Sequence, residues 1–262
     1  MDHLEFNREA WDHNVHTGNR WTVPVDEATI ARARRGDWSI VLTPTRQVPR
    51  DWFPADLDCD LLALAGGGGQ QGPVLAAAGA RVTVLDNSPA QLAQDRAVAA
   101  REGLELVTLP GDMADLSELA DESFDVVIHP ISNCFVPEVR PVWRECFRVL
   151  RPGGYLLAGF CNPATYVFDW ERAENERVLE VIHRLPQADV EDLDAAGLAR
   201  YRCQGWPLEW SHSLDDQVGG QLAAGFVLTG FFEDNYAPDA DDLIAAHMPM
   251  FMATRALKPE TA

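Results

Sequence analysis

Residues 60–72, DLLALAGGGGQQG, decide the fold: an apolar run opens into four consecutive glycines and then into a helix-like segment. Such a run reads as a strand that delivers the backbone to a tight turn. Glycine at Gly66, Gly67, Gly68 and Gly69 permits positive φ and removes every Cβ, so backbone N–H groups can approach a ligand closely. Outward from this turn, a second apolar run at 81–85, RVTVL, ends in Asp86. An acid at the end of the second strand of such a unit can accept hydrogen bonds from both ribose hydroxyls of an adenosine. An adenosine-containing cofactor is therefore expected. The spacing Gly67-x-Gly69-x-x-Gly72 also satisfies the dinucleotide fingerprint, so the loop alone leaves both NAD and S-adenosylmethionine open.

Composition narrows the function classes. The 262 residues suffice for one α/β domain with additions, and 47% hydrophobic with 24% charged residues is ordinary for a globular chain. A net charge of −20, with no basic cluster interleaved with aromatics, argues against nucleic-acid substrates. The five cysteines are scattered and form no Cys-x-x-Cys pair, which points away from a disulfide framework or zinc site and toward a reducing cytoplasm. The N-terminus lacks an apolar signal core, and no stretch approaches 18 apolar residues, so neither export nor membrane insertion is expected. The acidic run 189–194, DVEDLD, lacks the central glycine and terminal glutamate of a calcium loop, and no metal is expected.

Residues 1–50 read as a leader outside the sheet, rich in tryptophan (Trp11, Trp21, Trp38), with one short helix over 26–35. A polar leader ahead of a cofactor-binding strand is expected to act as a lid. The main domain then covers 51–262. Strands are predicted at 60–64, 81–85, 104–109, 124–128 and 155–160, with helices at 70–78, 89–101, 114–119 and 137–150 between them. Arg-Pro-Gly-Gly at 151–154 is expected to turn the chain back into the sheet. Alternation of this kind implies a Rossmann-like sheet doubly wound by helices. Residues 162–215 read as an insertion capping the sheet. A strand-like run at 225–232, a helix at 241–246 and a last strand at 251–257 complete the chain.

Asp112, with Met113 beside it, follows the third strand and places a carboxylate and a backbone N–H where an adenine edge can be bonded. Together with the late strand pair, this favours S-adenosylmethionine. The stretches LALAGGGGQQG (62–72), DNSPAQL (86–92), GDMADL (111–116) and HPISNCF (129–135) resemble the class I S-adenosylmethionine-dependent methyltransferases. They look most like a bacterial small-molecule group with a GGGQQ-type loop. The resemblance covers about 60–160 and implies a mostly parallel seven-stranded sheet with an antiparallel last strand. It also implies methyl transfer to an O, N or S nucleophile of a small acceptor, leaving S-adenosylhomocysteine, by a monomer or homodimer. Most such enzymes carry an acid within the first strand and a glycine two positions on; here Ala63 and Ala65 stand there. The cofactor's amino group is then expected to be held by the leader around Trp11–Trp21 or by the loop after His129.

The expected cofactor wall comprises Ala65, Gly66, Gly67 and Gly68, then Asp86, Asn87 and Gln91, then Asp112 and Met113. His129, Asn133 and Trp11 are expected to join it, with Ser132 in the same loop. His129, at the fourth strand's end, and His212, in the insertion, are candidate bases because histidine titrates near neutrality. Tyr166, Trp170 and Trp206 are candidate walls of an aromatic acceptor pocket. Two other readings share the glycine loop: an NAD(P)-dependent oxidoreductase, and a non-catalytic protein that binds S-adenosylmethionine.

Overall fold

The computed structural model describes residues 2–260. Its first element is a 15-residue helix, α1 (His3–Thr17), where the apolar pattern predicted none. Only Phe6, Asn7 and Ala10 of α1 are buried, so its apolar period is faint. Its ends are well specified instead: Asp2 accepts from the backbone of Leu4 and Glu5, and Gly18 closes the helix at φ 73°. Helix α2 (Glu27–Ala33) follows within the predicted range, with Asp26 as its N-cap.

The alternating core then runs β1 (Asp60–Leu64), α3 (Gln71–Ala77), β2 (Arg81–Asp86), α4 (Pro89–Glu102), β3 (Leu106–Pro110), β4 (Phe124–His129), α5 (Arg140–Val149) and β5 (Leu150–Cys161). Four shorter helices follow: α6 (Trp170–Glu176), α7 (Asp189–Asp192), α8 (Ala195–Gln204) and α9 (Gly220–Ala224). The last strands are β6 (Val227–Asp234) and β7 (Phe251–Leu257). All seven strands form one sheet in the order β3-β2-β1-β4-β5-β7-β6. Only β7 opposes its neighbours; every other pairing is parallel. This is the expected doubly wound sheet with an antiparallel last strand.

Alternation along β1 sends Leu61 and Ala63 to one face and Leu62 and Leu64 to the other. The first face packs with Ile30 of α2, Leu75 of α3 and Leu92 of α4; the second packs with Trp143 and Cys146 of α5. A strand buried on both sides must be apolar throughout, which is why 61–64 contains no polar residue.

Three local expectations are corrected. Residues 114–119 are turns, because their donors go to side chains: Ala114 N to Asp112 Oδ1 at 2.9 Å and Leu116 N to Glu145 Oε2 at 2.9 Å. Residues 243–247 are also turns, with Asn235 Nδ2 donating to the Ala245 carbonyl at 2.7 Å. The expected turn at 151–154 lies inside β5, where Gly153 N donates to Lys258 O and Lys258 N to Gly154 O, prolonging the pairing with the final strand.

The leader and the stretch carrying α6 to α8 meet above the sheet. Phe6 of α1 packs with Leu208 and Trp210, and α1 also touches α4.

Candidate active site

The carboxyl ends of β1 and β2 and the loop after β4 open onto a cavity of about 700 Å³, a size usual for small-molecule sites. β1 gives way to a turn at Ala65, whose φ of 46° lies in the left-handed region that disfavours any Cβ. Gly66 and Gly67 follow on the wall. A Cβ on Gly67 would stand 2.9 Å from both Asp86 Oδ2 and Gln91 Cβ, so glycine alone permits this approach. Asp86, the last residue of β2, accepts from Gly67 N at 3.0 Å and from Ser88 N at 2.9 Å. Desolvation pushes its pKa up to about 6. Asn87, Gln91, Asp112 and Met113 share this wall, and the buried Gln91 Oε1 has no hydrogen-bond partner.

Gly68 turns away from the cavity: its N–H donates to Asp95 Oδ2 at 2.9 Å. Asp95 is fully buried on α4, and desolvation pushes its pKa up to about 7. Sequence reasoning missed it. The available signal was its place one helical turn after Gln91, on the face turned toward the glycines. The two glutamines after the glycines fasten the loop to the leader. Gln70 Nε2 donates to the carbonyls of Arg20 (3.2 Å) and Val23 (3.0 Å), and Gln71 Nε2 to that of Val41 (3.2 Å).

α1 supplies more of the wall. Trp11 lies on it, edge-on to Phe135 with ring centroids 5.3 Å apart. Asn7 donates to Phe135 O (3.1 Å) and Leu208 O (3.0 Å) and accepts from Leu208 N (2.7 Å). Asp12 accepts from Ser88 Oγ at 2.6 Å and Ala90 N at 3.1 Å, and Asn87 Nδ2 donates to Leu4 O at 2.7 Å. One helix thus bridges the β2–α4 turn, the loop after β4 and residues near 208.

Both candidate histidine bases are corrected. Neither His129 nor His212 lines the cavity. His129 is completely buried, Nδ1 donates to the Leu64 carbonyl at 3.0 Å, and the ring meets Trp143 edge-on. Desolvation pushes its pKa down to about 4. His212 Nε2 donates to Asn133 O at 3.0 Å, and burial lowers its pKa as well. Asn133 is also internal, with Nδ2 donating to Gln217 Oε1 at 2.9 Å, whereas Ser132 does reach the wall. These rings and amides brace the loop after β4 from behind.

At the far end of the cavity stand Tyr166, Trp170 and Trp206, the three aromatic residues expected there. Tyr166 Oη donates to Glu209 Oε2 at 2.6 Å, and desolvation pushes Glu209 up to about 7. Cys134 and Cys161 line the same end, and a hydrogen bond donated by the Cys134 thiol to Cys161, together with burial, raises the Cys134 pKa and keeps the thiol protonated. Among the described residues, no group of three or more His, Cys, Asp or Glu side chains is placed to hold a metal ion. Nor, among them, is any helix long and apolar enough to cross a membrane.

Residues 62–158 match a family described as a methyltransferase domain. A Bacillus subtilis protein named uncharacterized methyltransferase YbaJ is 50% identical over 252 residues, covering 96% of this chain and 97% of its own. The chain belongs to the methyltransferase family. A crystal structure of an S-adenosylmethionine-dependent methyltransferase from Mesorhizobium loti has the same fold, with a TM-score of 0.61 at 19% identity over 79% of this chain and 94% of that one. A probable phthiotriol/phenolphthiotriol dimycocerosates methyltransferase 2 from Mycobacterium ulcerans is 38% identical over 113 residues, 42% of each chain. The methyltransferase's cofactor is accordingly S-adenosylmethionine, which closes the choice that the glycine spacing left open.

The wall fits that cofactor. The Asp86 carboxylate accepts two backbone donors and has capacity for about two more, enough for a pair of ribose hydroxyls. Gln91 Oε1 is an unpaired acceptor beside it, and Gly67 has no Cβ to press Asp86 and Gln91 away from the loop.

Proposed function

We propose that this methyltransferase moves the methyl group of S-adenosylmethionine to a nucleophilic O, N or S atom of a small molecule. One observation carries the reading. A single cavity runs from Asp86 and Asp112 at the strand ends to Tyr166, Trp206 and Glu209 beneath the leader and the 162–215 insertion. The cofactor supplies a methyl group on a sulfonium, which is open to in-line displacement. In this proposal Asp86 and Gln91 hold its ribose, Gly66 and Gly67 lie against it, and Asp112 with Met113 face its adenine. Ala63 offers no carboxylate for its amino group, so that group falls to the parts of the wall supplied by the leader and by residues 130–132, among them Asn14, Asn19 and Ser132. Residues 1–50 act as the lid and 162–215 as the cap of the 51–262 domain. The Gln70 and Gln71 ties to the leader support placing it with the GGGQQ-loop enzymes. Its five cysteines are all free, in keeping with work in a reducing cytoplasm.

The protein's main task in such a displacement is to hold nucleophile and methyl about 3–3.5 Å apart and in line, which contributes up to about 7–11 kcal/mol. One cavity that takes both components side by side suits that task. The test is calorimetric titration with S-adenosylhomocysteine, with NADH as control and Asp86→Ala alongside. Micromolar binding of the first ligand, lost in the variant, is the expected result. Binding of NADH alone would overturn the reading, and cofactor binding without turnover across broad acceptor panels would make the protein a non-catalytic binder.

A further inference from the structure

We propose that the acceptor is a cationic amine and that Glu209 takes its proton before the methyl is transferred, on a site completed by Tyr166 and Gln187. This rests on the methyltransferase reading above and names its substrate class. Three observations converge. First, the far end of the cavity carries two carboxyl groups: Glu209 and Asp189 both lie on the wall, with Glu209 N donating to Asp189 Oδ2 at 2.8 Å. Among the described residues, no arginine or lysine lines the cavity. An anionic acceptor is repelled there, and a cation is drawn in.

Second, Gln187 on the same wall is only 8% exposed, and its amide group is half used. Its Nε2 donates to Asp189 Oδ1 (3.1 Å) and Asp192 Oδ2 (3.0 Å), leaving Oε1 with no partner. A buried free acceptor beside two carboxylates calls for a donor from the ligand, and an ammonium or amine N–H supplies one. Third, Trp206, Tyr201 and Tyr236 line this end, and cations already rest on rings there: Arg200 lies 5.9 Å from the Trp206 ring and Arg20 5.7 Å from that of Tyr236.

Glu209 is suited to proton transfer by its surroundings. Among the described residues, Tyr166 Oη is the one side chain that donates to its carboxylate, while Asp189 stands beside it, Cys134, Cys161, Tyr201 and Tyr236 are the other titratable groups near it, and Arg200 and Arg20 lie over the rings of Trp206 and Tyr236. His183, also on the wall, is engaged with Asp192 at 3.1 Å. Desolvation sets the Glu209 pKa near neutrality, at about 7, where a general base works best. An ammonium has no lone pair and cannot attack. Once the Glu209 carboxylate has taken one N–H proton, the freed nitrogen pair forms the N–C bond to the methyl. The C–S bond breaks in the same step, and its electron pair stays on sulfur as a neutral thioether. The product is the N-methylammonium, and Glu209 returns its proton to solvent.

The experiment uses the full chain saturated with S-adenosylhomocysteine, titrated with matched sets: benzylamine, benzyl alcohol and benzoate, then tryptamine, tryptophol and indole-3-acetate. S-adenosylhomocysteine is titrated first into wild type, Glu209→Gln and Tyr166→Phe, which reports the fold and the cofactor end. Failure there sinks the methyltransferase reading, whereas failure of the later arm alone sinks only the amine proposal. In at least one set the amine should bind at least tenfold tighter than its alcohol and acid. Its affinity should rise about tenfold between pH 6 and 8 as Glu209 ionises. Glu209→Gln should abolish both the preference and the pH dependence. Tyr166→Phe, which removes the donor that favours the ionised carboxylate, should move the midpoint to higher pH. Amines that bind no better than their alcohols and acids, or a preference that survives Glu209→Gln, would overturn the proposal.

Discussion

At the proposed cofactor end of the cavity, Ala65 to Gly67, Asp86 to Gln91 and Asp112 with Met113 all sit within a few positions of a strand terminus. At the proposed acceptor end, Asn7 and Leu208 meet across 201 positions of chain, and Glu209, Tyr166 and Gln187 lie outside the sheet. The first wall is held by backbone pairing in the sheet, in a register that sets Leu64 opposite Leu85 and Asp86 opposite Pro110. The second is held by individual side-chain hydrogen bonds between segments with little core of their own. A sheet edge specifies cofactor chemistry cheaply, and a cover made of separate pieces leaves acceptor choice free to vary.

Four perturbations probe that contrast, the largest first. Asp86→Ala removes the charged acceptor proposed to face the ribose and should weaken S-adenosylhomocysteine binding by roughly 100-fold, about 3 kcal/mol. Calorimetry checks this, and a loss under threefold would break the assignment of the rigid end. Asn7→Ala strands the buried Leu208 N–H and two carbonyls, at a cost of about 2 kcal/mol. Hydrogen exchange should show α1 and residues 205–210 losing protection together while β1 to β5 keep theirs. Uniform loss through the sheet would mean that the cover and the core are one cooperative unit.

The third concerns pH. Asp86 and Asp95 have folded pKa values raised to about 6 and about 7 from an unfolded 3.8. The folded state therefore binds more protons than the unfolded between roughly pH 4 and 7, and stability falls as pH rises through that window. Each such group contributes about 1.4 kcal/mol per pH unit at most. Asp95→Asn should flatten the decline in a chemical-denaturation series from pH 5 to 8. An unchanged slope would locate the lost stability elsewhere. The smallest effect belongs to Ala65→Gly, which relieves a left-handed alanine and should raise stability by about 1 kcal/mol. The denaturation midpoint reads it, and a fall would show that the Ala65 methyl is packed more usefully than its backbone is strained.

How much was legible follows the same division. β1 and β7 have the bounds that the pattern predicts, and Asp86 and Asp112 stand where strand-end reasoning puts them, because a buried strand announces itself in consecutive apolar residues. α1 was hidden, since a helix that buries three residues of fifteen shows no stripe; its caps at Asp2 and Gly18 were the readable trace. Asp95 and Glu209 were hidden for another reason. In a chain of 41 acidic residues, one carboxylate desolvated by distant segments looks no different from those on the surface. The histidines misled in the opposite direction: a strand-end position placed His129 near the chemistry, but its side chain belongs to the face that packs on Trp143.

The bridging helix α1 also has a history in time. It leaves the ribosome some two hundred residues ahead of its partners at Gly205 and Leu208. At about 5–20 residues per second, the segment waits on the order of 10–40 seconds with Phe6 and Trp11 uncovered. Helix α1 is thus made long before the segments that seat it, and that part of the cavity has no roof until they arrive.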